Sequence, residues 1–407
     1  MQETVVVIGG GAAGFFGAIT CAERNPQKRV ILLEKTSKLL SKVRVSGGGR
    51  CNVTHACFQP RAFAHNYPRG TKALKRMLQT FGATETVAWF EKRGVPLKTE
   101  ADGRMFPQSN TSETIVDCLL SSARRAGVEI WTSVGVQQII PVPAQGFTLE
   151  LSNGEQLPAA KVLIATGGNP KPESYQWLRQ LGHQIEPPVP SLFTLNVPRS
   201  PFHSLQGVSV PKARVKLAGQ KLETEGPLLI THWGLSGPVV LRFSAWGARL
   251  LHNLNYTGTA LVNWVPDLTE EQVRTQLLNV RQSSPRKTVF TNPLFGLPSR
   301  LWQQLCTLAD VPDAVKWAEL PGKAQNKLLE HLLRTPFEAK GKTTFKEEFV
   351  TCGGVSLAEI DLNTMESRKV PGLYFAGEVL DIDGITGGFN FQAAWTAGYL
   401  AGCALAQ

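Results

Sequence analysis

Near the start of the chain, Gly9-Gly10-Gly11-Ala12-Ala13-Gly14 places glycines first, third and sixth, and an acidic residue, Glu34, follows twenty positions after the last of them. That spacing suits the holding of a diphosphate against bare backbone. Gly9 allows the tight turn, Gly11 lets the backbone approach a pyrophosphate, and Gly14 lets a helix pack closely on a strand. Ala12 and Ala13 open that helix, whose N-terminal amides face the phosphates. Glu34 is placed to accept hydrogen bonds from a ribose hydroxyl, and its charge repels a 2′-phosphate, so the resident cofactor is expected to be FAD or NAD rather than NADP.

The far end of the chain decides between the two. Gly377-Glu378 closes a short apolar run, and Asp383-Gly-Ile-Thr-Gly387-Gly388-Phe389-Asn390 leads into an alanine-rich apolar helix. A loop of this kind lets backbone amides touch a flat ring, and the helix N-terminus aims its positive end at the ring. A reduced flavin carries negative charge near N1 and the C2 carbonyl, where such a dipole stabilises it. Thr166-Gly167 ends a third apolar run, Lys161 to Ala165. Three separated segments thus point to FAD. No second GxGxxG with its acid appears, so NADPH or NADH is expected only as a transient reductant.

These residues need particular elements to position them. Thr4-Val-Val-Val-Ile8 is a β-branched run suited to a strand buried on both faces, followed by a helix to Arg24 that Asn25-Pro26 stops, and by a second strand ending at Glu34. The predicted fold is α/β: a Rossmann-like FAD-binding domain of the glutathione-reductase kind with an inserted β-barrel and a small helical subdomain. Residues 1–190 and 345–407 are assigned to the FAD-binding domain. Residues 191–266, with alternating stretches such as Ala213 to Leu217 and Ala260 to Trp264, form the barrel or sandwich, and 267–344, with helical spacing from Leu268-Thr269-Glu270-Glu271 onward, the helical subdomain.

Ser46-Gly47-Gly48-Gly49-Arg50-Cys51-Asn52, Thr231-His232-Trp233-Gly234-Leu235-Ser236-Gly237-Pro238, Thr364-Met365-Glu366-Ser367 and the run from Gly377 to Gln392 resemble the YhiN-like family of FAD-binding flavoproteins. The resemblance covers essentially the whole chain. It implies a flavoenzyme of a group often labelled aminoacetone oxidase, which also includes a bile-acid 3-oxo-steroid reductase and a dihydrouridine synthase acting on large-subunit ribosomal RNA. It further implies that Ser46, Gly47, Gly48, Arg50, Cys51 and Asn52 belong to the flavin loop, with Arg50 toward cofactor or substrate and Cys51 in packing. Lys35 and Lys42 are assigned to balance the pyrophosphate. One departure is the segment Asn169 to Tyr175, shorter than the glycine- and serine-rich loop of many members.

Three residues are candidates for chemistry beyond the flavin's own. The Cys352 thiol, beside Gly353-Gly354, would protonate a carbon after hydride transfer. His232 would bind a substrate carbonyl or phosphate. Arg104, in Ala101-Asp-Gly-Arg-Met-Phe-Pro107, resembles another family motif and is assigned to the cofactor edge. Each has a plainer reading in packing or surface solvation. The seven histidines show no metal-ligand spacing, so no metal site is expected.

Composition narrows the class further. Seven cysteines without a CxxC indicate thiols kept reduced in a cytoplasm and exclude a dithiol disulfide reductase. The apolar stretch Thr4 to Ala22 is interrupted by glycines and lacks a basic leader, so neither a signal peptide nor a membrane span is expected. Net charge is +11, and between Lys35 and Thr84 there are ten basic residues and no acidic one, with Phe58, Phe63, Tyr67 and Phe81 interspersed. That pattern suits a polyanion, cations for phosphates and aromatic rings for bases. The leading expectation is therefore an FAD-dependent, NAD(P)H-driven reductase of a C=C bond, with a uridine of ribosomal RNA as substrate. A small-molecule amine oxidase or enone reductase, and a non-enzymatic RNA-binding flavoprotein, are the alternatives.

Overall fold

The computed structural model describes residues 2–343 and 350–407. The chain divides into two compact units, Met1–Ser191 with Phe345–Gln407, and Leu192–Thr344. The boundary expected at 344/345 lies outside the described residues.

The first unit is built on a five-stranded parallel sheet, in the order Leu373–Phe375, Lys161–Ile164, β1 (Thr4–Ile8), β2 (Arg29–Glu34) and Glu129–Thr132. The central β1 is paired on both sides, and Val5, Val6 and Val7 have no exposed surface, as a β-branched run covered on both faces requires. Helix α1 (Ala12–Arg24) follows β1, and the C-terminal helix Phe389–Leu405 lies along it in the same direction. Small residues set their distance: a Cβ on Gly398 would stand 2.6 Å from the Ala13 carbonyl oxygen, and one on Gly402 2.6 Å from that of Gly17. The apolar stretch Thr4 to Ala22 is thus the heart of this unit, and among the described residues no helix is long and apolar enough to cross a membrane.

Between β2 and the rest of the sheet the chain forms α2 (Ser41–Gly49), β3 (Thr54–His55), α3 (Pro60–Ala64) and α4 (Thr71–Met77). β3 pairs antiparallel with Arg104–Pro107, which pairs in turn with Leu97–Thr99. Ile185–Ser191 and Val350–Val355 form a two-stranded antiparallel ladder.

The second unit contains a seven-stranded sheet, antiparallel among the described residues, in the order Thr335–Lys340, Thr257–Asn263, Ser209–Leu217, Glu223–Ile230, Gly234–Ser236, Thr194–Asn196 and Lys342–Thr343. Helices Glu270–Ser283, Ser299–Leu308 and Gly322–Arg334 share one core with it, around Trp264, Trp302, Trp317 and Phe337. Thr269 and Gln272 cap the first of these helices reciprocally, Gln272 N–H on Thr269 Oγ1 at 3.2 Å and Thr269 N–H on Gln272 Oε1 at 2.8 Å, so the helix starts where the Leu268-Thr269-Glu270-Glu271 pattern puts it. Helical spacing is read from Asp267 to about Arg334, and the last of these helices ends at Arg334; the rest of the segment assigned to the helical subdomain continues in the strand Thr335–Lys340, which alternates buried and exposed residues.

Candidate functional site

The three glycine-ended strands are neighbours in register, with Ile8 beside Ile164 and Ile164 beside Phe375. Gly9, Gly167 and Gly377 therefore emerge at one carboxyl edge of the sheet, where open α/β sheets bind their ligands. The N-caps of the two parallel helices, Gly11 and Gly388, reach the same edge, and neither helix has an acidic residue in its first turn to offset its positive end. Gly14 shows why the fingerprint needs its last glycine, since a Cβ there would stand 1.9 Å from the Gly9 carbonyl oxygen.

The cradle suits a long dinucleotide. Apart from adjoining stretches of chain, no atom of the described residues lies within 4 Å of where a Cβ would sit on Gly11, Gly48, Gly49 or Gly167, so open space adjoins three separate segments. Glu34 stands at the end of β2, where one carboxylate oxygen accepts the Gly10 N–H at 2.9 Å and the other the Thr36 N–H and hydroxyl, each at 2.9 Å. Lys35 next to it is exposed. Lys42 Nζ donates to Glu378 Oε2 at 2.8 Å, and Glu378 Oε1 accepts the Thr351 N–H at 2.7 Å. Thr351 Oγ1 is buried beside them with no hydrogen-bond partner among the described residues, a place for a ligand hydroxyl. Glu34, the two helix N-termini and this polar group would hold, in order, the ribose, the pyrophosphate with the ring, and the connecting chain of FAD.

The flavin-loop segment is shaped by its glycines. α2 breaks at Ser46, with Gly47 and Gly48 left-handed, and Cys51 follows at φ 59°. The Cys51 thiol is wholly enclosed, and burial pushes it up to about 12, so it stays neutral and packs. The Asn52 amide, oriented by its partners, accepts the Gly388 N–H and donates to the Thr54 carbonyl, both at 3.0 Å. Gly388 itself sits at φ 91°, and a Cβ there would meet the Thr54 carbonyl oxygen at 2.4 Å. His55 Nδ1 donates to the Gly387 carbonyl at 3.1 Å and its ring stacks on Phe389 at 4.8 Å; burial holds this imidazole below its ordinary value, hence neutral. Asn390 closes the loop by accepting the Gly384 N–H at 2.8 Å and donating to its carbonyl at 3.0 Å.

Asp383 is committed to partners within the protein. Its carboxylate has no exposed surface and is held by Arg69 and by the Ser191 hydroxyl at 3.0 Å. Burial outweighs these partners and raises the carboxyl from 3.8 to about 6. Asp383 braces the loop through Arg69 rather than offering oxygens to a ligand.

Of the three candidates for chemistry, two belong to the first unit and one to the second. Arg104 lies opposite His55 in the β3 pairing and is committed to Asp102 at 2.7 Å and Glu100 at 3.1 Å. Arg50 donates to the same Glu100 at 2.6 Å, with its guanidinium 4.1 Å from the Phe106 ring centre. Cys352 lies in Val350–Val355 opposite Val189 and has no exposed surface. His232 belongs to the second unit, exposed, 4.1 Å from the Trp233 ring, whose Nε1 donates to Thr194 Oγ1 at 3.2 Å. Among the described residues no group of three His, Cys, Asp or Glu side chains is placed to hold a metal.

The basic stretch divides by face. Phe63, Tyr67 and Phe81 are buried, at 1%, 0% and 4% exposure, which corrects their reading as base-stacking rings; only Phe58 is exposed, at 54%. Lys35, Lys38, Arg61, Lys72, Lys75 and Arg76 are all exposed and make no ion pair with a described residue. The residues missed by sequence reasoning are His55, Tyr67, Arg69, Glu100, Ser191 and Thr351. His55, three residues past Asn52, Glu100, just before Ala101 to Pro107, and Thr351, next to Cys352, lie close enough to recognised motifs to have been flagged.

A parallel sheet with nucleotide-binding glycines at one carboxyl edge, two helix N-termini and a ribose acid defines an FAD-dependent oxidoreductase. The HI0933-like protein Rossmann domain model matches residues 3–404, and the chain belongs to that family. It is 31% identical, over 100% of both chains, to the 3-dehydro-bile acid delta(4,6)-reductase of Clostridium scindens. It is 32% identical to the ribosomal RNA dihydrouridine synthase of Escherichia coli, over 97% of this chain and 96% of that one. Among solved structures, the 3-ketosteroid-delta4-(5alpha)-dehydrogenase of Rhodococcus jostii RHA1 shares the fold with a TM-score of 0.54 at 15% identity, covering 100% of this chain and 97% of that one.

Proposed function

We propose that this protein is a cytoplasmic, NAD(P)H-dependent reductase that saturates a ring C=C bond, and that its substrate is a uridine of large-subunit ribosomal RNA. Both relatives have names that describe removal of a ring double bond, and at 31% and 32% identity they do not choose between a steroid and RNA. The observation that carries the choice is the acid-free run from Lys35 to Arg76, in which six cations face solvent without a carboxylate. A small apolar substrate needs no such surface, whereas a polyphosphate strand does.

Saturation requires a hydride on one carbon and a proton on its neighbour. The bound flavin supplies the hydride. The Gly388 N–H is taken by Asn52, and the amides of the first turn that follows it, from Phe389 to Phe391, would stabilise negative charge beside the ring. Of the candidates for proton delivery, the fully buried Cys352 is assigned to packing. Arg104 and Arg50 are offset by Glu100 and Asp102 and brace the edge that carries His55.

The test is anaerobic reduction of the FAD-loaded protein by NADPH or NADH, followed by addition of ribosomal RNA from a strain lacking the gene. Re-oxidation with dihydrouridine formed supports the reading. Re-oxidation by enone steroids or other small acceptors with RNA inert would replace it with the small-molecule reductase, the alternative that the full-length similarity to the bile-acid enzyme favours.

A further inference from the structure

We infer that the outer face of α3 and α4 is the docking surface for the phosphate backbone of the RNA strand; this rests on the RNA reading above. The two helices and their connection form a plate with two different sides. Its inner side grips the flavin loop. Phe63 meets the Phe389 ring edge-on at 4.8 Å, the Asn66 carbonyl accepts the Ile385 N–H at 2.9 Å, and Arg69 pairs with Asp383. Tyr67, its phenol kept protonated by burial, donates to the Phe389 carbonyl at 2.5 Å. A Cβ on Gly70 would meet Ile382 at 2.8 Å, so the connection lies directly on the loop.

The outer side is cationic. Ala73, Leu74 and Met77 turn inward, which leaves Lys72, Lys75 and Arg76, spaced i, i+3 and i+4, on one exposed stripe of α4. Arg61 on α3 adds a fourth exposed cation, and the exposed Phe58 ring precedes it. None of the four cations makes an ion pair with a described residue, and no acidic residue lies anywhere between Lys35 and Thr84. A helix is about 10 Å across, so a strand held on this face lies roughly one helix diameter from the loop that carries the flavin-facing amides. Phosphate contact positions a strand without reading its sequence. The plate would therefore deliver RNA to the flavin edge and leave the choice of base to other residues.

The test compares FAD-loaded wild type with a Lys72→Gln/Lys75→Gln/Arg76→Gln variant. A Lys216→Gln/Lys221→Gln/Arg286→Gln variant, which removes three exposed charges from the second unit, serves as the control. Dihydrouridine formation is followed against salt, with FAD content and melting temperature recorded for each protein. Each phosphate contact on a single strand contributes about 0.7 to the salt exponent, so losing three lowers it by about 2. Between about 50 and 200 mM salt, the α4 variant then loses roughly twentyfold less affinity than wild type. The expected result is that reduced salt slope together with a raised KM for RNA, confined to the α4 variant and reversed in a Lys72→Arg/Lys75→Arg protein that keeps Arg76. An active wild type matched by the α4 variant, or a control variant that loses as much, overturns the docking surface and leaves the RNA reading standing. A wild type that neither binds RNA nor forms dihydrouridine removes both.

Discussion

Asp383 makes the first quantitative test of how the flavin loop is held. Its carboxyl is raised from 3.8 to about 6 because burial disfavours the charge more than Arg69 and Ser191 favour it. The folded protein therefore binds this proton more tightly than the unfolded chain does. The stability that follows is fully present below pH 3.8 and is lost as pH rises through about 6. At 1.36 kcal/mol per pH unit the whole effect is worth about 3 kcal/mol, and roughly half of it falls between pH 5 and pH 8. Asp383→Asn cannot titrate. Its amide stands in for the protonated acid, so it lacks the pH-dependent loss. The stability of wild type relative to the variant should therefore fall by between about 1 and 2 kcal/mol from pH 5 to pH 8. Because Asp383 braces the segment that ends in Gly387-Gly388, FAD release in a urea titration, followed by flavin fluorescence, reports on it directly. Release midpoints that move in parallel for the two proteins across this range would show that the carboxyl is ionised throughout, and that Arg69 outweighs burial.

Three further outcomes follow from the site. Gly388→Ala puts a Cβ 2.4 Å from the Thr54 carbonyl at a left-handed backbone, a strain of about 1–3 kcal/mol or more, so FAD affinity should fall at least roughly tenfold in a fluorescence titration. Glu34→Ala leaves the Gly10 amide without its acceptor at a cost of about 1–3 kcal/mol and removes the ribose partner, so the FAD dissociation constant should rise about ten- to a hundredfold. Cys51, neutral until about pH 12 and wholly enclosed, should resist iodoacetamide at pH 8 in the folded protein and label only after denaturation; labelling of native protein, seen by mass spectrometry, would contradict that enclosure.

What could be read from the sequence was local. Gly9 to Gly14, Glu34 and the run from Gly377 to Asn390 declare themselves because a tight turn, a close helix and a ring-facing amide each need a specific residue at a specific spacing. The brace around them could not be read, because Arg69 and Asp383 are 314 positions apart and Tyr67 and Phe389 322 apart, and nothing local marks either pair. The same distance explains the misread aromatics. Phe63 and Tyr67 are four residues apart, the spacing of one helical face, and that face is occupied by Phe389 from the other end of the chain. Seen without that partner, rings among lysines look like a surface for bases; seen with it, the rings belong to the core and the lysines alone face outward. The basic run thus serves two purposes at once. Its apolar period holds the flavin loop, and its charged period is left for a ligand, so a substitution on one face should change cofactor retention while one on the other changes only the response to salt.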